Sequence, residues 1–131
     1  MSDKSLQYKR RYAFRINYFV AWKTNQHSLT FTTPELVNDL TTILYEIANA
    51  NQIQIKSLQI NPCYVQMTIS CLPHKSIVDA LKALKGRSAT LFLKQHPQVS
   101  SDTHLWSHTY LAVSLGNYDR NDLLSYLNHY D

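Results

Sequence analysis

Polar and apolar residues alternate without interruption along Tyr64-Val65-Gln66-Met67-Thr68-Ile69-Ser70-Cys71. Val65, Met67, Ile69 and Cys71 point one way from an extended chain and Tyr64, Gln66, Thr68 and Ser70 the other, the period of a half-buried strand. Asn61-Pro62 before it and Pro73 after it are turn signals. Upstream, Ala13 to Lys23 is rich in Phe, Ile, Tyr, Val and Trp and predicts a first, central strand. Thr24 to Phe31 reads as a polar loop or short ribbon. Gln52 to Ile60 predicts a second strand whose alternation slips around Ser57, as at a bulge. Leu105 to Leu115 predicts a fourth strand. Leu105, Leu111, Val113 and Leu115 fall on one side of it, and Trp106, His108, Tyr110 and Ala112 on the other.

Between the strands the period changes to that of a helix. Thr33 suits an N-cap, Pro34 the first helical position and Glu35 the positive end of the helix dipole. Leu36, Leu40, Ile43, Leu44 and Ile47 then form one apolar face, fading near Asn49 to Asn51. A second helix is predicted from about Lys75 to Lys94, with Ile77, Leu81, Leu84, Ser88 and Leu91 in one stripe. A last short helix, capped by Asp119 with Asp122 in its first turn, carries Leu123, Tyr126 and Leu127. The order β-α-β-β-α-β plus a terminal helix predicts an α+β, ferredoxin-like fold, an antiparallel sheet with helices on one face.

Length changes this picture little: 131 residues suit one domain, 1–131, with residues 1–12 as a basic arm. Its basic residues are Lys4, Lys9, Arg10 and Arg11, followed by Arg15 at the first strand. Net charge is +4 and the isoelectric point about 9.1, which permits a polyanionic partner without requiring one. Lys75, Lys82 and Lys85 share a flank of the second helix, as either a solvated face or a row that tracks a phosphate backbone. The two glycines, Gly86 and Gly116, are too few for a glycine-rich phosphate loop. No apolar run is long enough to span a membrane and the start reads as no signal peptide, so a cytoplasmic protein is expected. Cys63 and Cys71 lie eight residues apart on one strand, about 3.3 Å per residue, too far apart for a disulfide between them.

The strand at Pro62-Cys63-Tyr64-Val65-Gln66, the helix with Lys85-Gly86-Arg87-Ser88, Leu105-Trp106 with Tyr110, and the Tyr126 helix together resemble the single-tyrosine HUH transposases. These are small insertion-sequence enzymes that cut and join single-stranded DNA. The resemblance runs from about Tyr12 to Tyr130 and implies the same ferredoxin-like fold. It implies Tyr126 as the position of the nucleophile, Mg²⁺ or Mn²⁺ as cofactor, and a homodimer that recognises hairpin DNA. In that family the strand reads Pro-Asp-His-hydrophobic-His, and its two histidines hold the metal. Here Tyr64 and Gln66 stand in their places, and Tyr130 stands where a further ligand, usually Gln, is found. A phenol is a poor donor to these ions and an amide is uncharged. His74, His104 and His108 lack the spacing to compensate.

The expectation is therefore a transposase-like DNA-binding protein impaired in metal-dependent strand cleavage, with no bound cofactor. Its DNA contacts are expected at Lys9, Arg10, Arg11, Arg15, Lys82, Lys85 and Arg87, on single-stranded or hairpin DNA. One alternative is an active transposase or nuclease with an altered metal site and Tyr126 as nucleophile. A second is a protein–protein or small-ligand module that keeps only the fold.

Overall fold

The computed structural model describes residues 15–99 and 104–116 of the chain. Strand β1 (Ile16–Lys23) is followed by a short 3-10 turn at Asn25–His27 and helix α1 (Pro34–Ala50). Strands β2 (Gln54–Asn61) and β3 (Tyr64–Cys71) form a hairpin. A helical rod in three parts comes next: α2 (Ile77–Leu81), a π-helical turn (Lys82–Arg87) and α3 (Ser88–Gln95). Strand β4 (Leu111–Gly116) completes an antiparallel sheet of order β2-β3-β1-β4, the arrangement expected of a ferredoxin-like βαββαβ fold. The helix predicted to carry Tyr126 and the basic arm, residues 1–12, fall outside the described residues.

Helix α1 starts as its sequence dictates. The Thr33 hydroxyl accepts from Leu36 N–H, satisfying one of the donors that a helix leaves free at its start. Leu40, Ile43, Leu44 and Ile47 are buried from its apolar face, and Leu36 is partly so. On β3, Val65, Met67, Ile69 and Cys71 lie beneath the helices with at most 1% exposure, while Tyr64, Gln66 and Thr68 occupy the opposite, open face. The β2–β3 register shifts between Ile55 and Ser57, placing the bulge where alternation fails in the sequence.

The helical rod departs from a plain α-helix. Its π turn releases carbonyls from the usual pattern, and nearby hydroxyls take them up: Ser88 Oγ donates to Lys85 O (3.0 Å) and Thr90 Oγ1 to Gly86 O (3.2 Å). Beyond this turn Phe92 is fully buried and Leu91 only half so.

The fourth strand is the clearest correction to the sequence reading. It begins at Leu111, not Leu105, and only an isolated bridge between Thr24 and Trp106 pairs the stretch before it. Leu105 and Trp106 are both buried, against the one-in, one-out pattern expected of a half-buried strand. The Trp106 ring packs on Trp22 and Phe31 with centroids 5.7 and 5.5 Å away, and its N–H donates to Ser88 Oγ at 3.0 Å. Burying this indole holds the segment against the core. Leu111 and Val113 pair with Ala21 and Phe19 and so share the open face; with Leu115 they are about half exposed, away from Leu105 in the core.

Candidate functional site

Antiparallel pairing puts opposed residues on one face, so the register builds a single surface on the open side of the sheet. Lys23 opposes Tyr64, Ala21 opposes Gln66, and Gln59 opposes Gln66 from the other side. Ala21, Lys23, Tyr64 and Gln66 line a cleft of about 540 Å³ together with Phe19, Thr109, Tyr110 and Leu111, and Gln59 lies beside it. Tyr64 sits at its rim because the hairpin turn is clasped from below. Pro62 O accepts from Thr30 and Phe31 N–H (2.8 and 3.1 Å), and Cys63 O accepts from Thr24 N–H (2.9 Å), while the Thr24 hydroxyl donates to Ser28 O (2.7 Å).

Gln66 is held in a short amide relay. Its Nε2 donates to Gln59 Oε1 at 2.8 Å, and Gln59 Nε2 reaches Asn61 Oδ1 at 3.5 Å. Two donors nearby, the Trp22 indole N–H and Asn61 Nδ2, are buried without an acceptor among the described residues.

Lys85 lies behind the wall that Thr109 and Tyr110 form. Its ammonium donates to Ser107 O (2.9 Å) and Thr109 O (3.3 Å) and lies 5.7 Å from the Tyr110 ring centroid. Burial pushes the Lys85 ammonium below the usual lysine range. Lys82 is exposed and lines an adjoining groove with Lys85, Gly86, His108 and Tyr110. Arg87, at the end of the π turn, is exposed.

The sites expected from the sequence are thus only partly brought together. Tyr64 and Gln66 share the cleft, with Lys82 and Lys85 on its flank. Arg15 stands at the opposite end of β1 from Lys23, about 26 Å away at 3.3 Å per residue. There its Nε donates to Ser70 Oγ (2.9 Å), and its Nη2 donates to Gln52 O (2.8 Å) and Ser70 O (2.9 Å). Lys9, Arg10, Arg11, Tyr126 and Tyr130 lie outside the described residues. Sequence reasoning did not single out Phe19, Lys23 or Gln59 for the site. The signal was present in the period of β1, which puts Phe19, Ala21 and Lys23 on one side.

The family model for IS200-like transposases matches residues 12–130, nearly the whole chain. The chain belongs to the IS200-like transposase family. It is 26% identical over 121 residues to the ISDra2 transposase TnpA of Deinococcus radiodurans, covering 90% of this chain and 86% of that one. A crystal structure described as a transposase of Deinococcus radiodurans superposes with a TM-score of 0.75 at 26% identity, covering 94% of this chain and 96% of the other. A REP-associated tyrosine transposase, solved bound to a REP hairpin, shares the fold with a TM-score of 0.61 at 13% identity, covering 94% of this chain and 67% of its own.

Among the described residues, positions 64 and 66 and their surroundings give the divalent ion implied by the resemblance a poor set of donors. No imidazole, carboxylate or thiol is among the described residues lining the cleft, and one amide proton of Gln66 is already directed at Gln59. A phenol and an uncharged amide are weak substitutes for two histidines. Among the described residues no helix is long and apolar enough to cross a membrane.

Proposed function

We propose that this IS200-like transposase is a DNA-binding protein, acting on single-stranded or hairpin DNA as a homodimer in the cytoplasm, in which metal-dependent strand cleavage is impaired. The observation that carries this reading is the chemistry of the cleft: its family scaffold is kept, its lining is aromatic and amide, and lysines flank it. Tyr64 and Tyr110, each more than a third exposed, offer faces on which unpaired bases stack. Lys23 and Lys82 supply exposed positive charge for a phosphate backbone. The hairpin bound by the structurally similar REP-associated transposase points to the same class of ligand. A homodimer is supported by β4, whose outer edge is unpaired among the described residues and whose Leu111, Val113 and Leu115 are about half exposed.

Fluorescence anisotropy on labelled hairpin DNA across a salt series tests the binding half. Affinity falls as salt rises, and Lys82→Gln lowers the slope of log affinity against log salt by about 0.7, one phosphate contact on a single strand. Undetectable binding, or a slope unchanged in this exposed-lysine variant, would overturn it. Incubation of the same DNA with Mg²⁺ or Mn²⁺ tests the other half, and no covalent protein–DNA adduct is expected. An adduct formed by the wild type and absent in Tyr126→Phe establishes the active alternative instead.

A further inference from the structure

A second group of donors lies on the other side of the sheet from the cleft, where α1 meets the end of α3. Glu35 and Asp39 are four residues apart on α1 and so share one helix face. His96 caps α3, its N–H donating to Phe92 O at 2.9 Å, and its ring packs on that of Phe92 with centroids 4.9 Å apart. These contacts leave His96 only 8% exposed and aim Nε2 at Asp39 Oδ2, 2.7 Å away. One donor atom from each of Glu35, Asp39 and His96 lies within 4.8 Å of the others.

An interhelical hydrogen bond between His96 and Asp39 accounts for two of these groups but not the third. Glu35 brings a second carboxylate to a single imidazole, and among the described residues neither carboxylate is ion-paired to a lysine or arginine. The cluster is short of positive charge. We propose that Glu35, Asp39 and His96 form a divalent-cation site that clips the start of α1 to the end of α3. One nitrogen and two carboxylate oxygens suit Zn²⁺ or Mn²⁺, with water completing the sphere. Donors bound at about 2.1 Å to a tetrahedral ion lie about 3.4 Å apart, so the His96–Asp39 pair must open slightly and Glu35 must swing inward. Both carboxylates have room to move, since Asp39 is partly and Glu35 largely exposed, whereas the imidazole is already fixed. On this assignment any ion the protein takes up sits among the helices and not at Tyr64 and Gln66.

Calorimetric titration of the full chain with ZnCl₂ or MnCl₂ alone, paired with thermal melting, tests the site. At least one of the two metals binds with a stoichiometry of one per chain and raises the melting temperature. Affinity falls about tenfold or more in both His96→Gln and Glu35→Gln and is unchanged in Gln66→Ala. Glu35 is exposed, so Glu35→Gln loses only its favourable interaction with the α1 dipole, lowers the metal-free melting temperature by no more than a few degrees, and carries the test even if His96→Gln folds poorly. No binding of either metal, or binding that both helix variants leave intact, would overturn the proposal. So would binding that Gln66→Ala abolishes. DNA affinity enters none of these readouts, so the site stands or falls separately from the proposed function.

Discussion

The two faces of one sheet serve opposite ends although their residues alternate along the same strands. On the covered face Val20, Val65, Met67 and Ile69 are sealed beneath the helices. On the open face, one residue away in each case, stand Phe19, Tyr64, Gln66 and Thr68. A period of two lets β3 carry core and site at once, and a slip of one residue would exchange them. The contrast teaches that the family's framework and its chemistry are separable. The covered face holds the fold in place whatever occupies positions 64 and 66, so the open face is free to change its ligands.

That separation can be broken by measurement, most directly at adjacent positions. Met67→Ala empties a fully buried site and costs about 2–5 kcal/mol of unfolding free energy in urea denaturation. Ser88→Ala strikes the support of the site's far wall, because it leaves the buried Trp106 indole N–H without its acceptor. It costs about 1–3 kcal/mol by the same measurement. Gln66→Ala, one residue from Met67 but on the open face, changes stability by no more than about 0.5 kcal/mol. Equal losses at 66 and 67 would show that the two faces are one cooperative unit and that the cleft is itself structural.

Much of this division was legible in the sequence, and the reasons are local. Alternation in β3, the Thr33-Pro34-Glu35 helix start and the slip at Ser57 are each decided by neighbouring residues, and each is found as the pattern predicts. The fourth strand was misjudged because Leu105 and Trp106 are placed by tertiary burial against Trp22 and Phe31, which no local period records. Leu111 and Val113 then look like core residues by composition but pair onto the open face. In the cleft, the positions of Tyr64 and Gln66 followed from the strand pattern, whereas the relay to Gln59 depends on the β2–β3 register after a bulge. Lys85 read as a surface cation; its bonds to Ser107 and Thr109 depend on where a connecting segment comes to rest. Glu35 and His96 of the cluster stand 61 positions apart in the chain, which leaves no spacing signature.

The clasp on the Pro62-Cys63 turn has a mechanical consequence. Three backbone hydrogen bonds tie the jaw bearing Tyr64 to the body of the protein beneath it. The opposing jaw at residues 107–110 hangs on the Lys85 ammonium and on the bond from Ser107 N–H to Lys23 O. The first jaw is held backbone to backbone and the second in part by one lysine side chain, so a guest that needs more room is expected to displace Tyr110 before Tyr64.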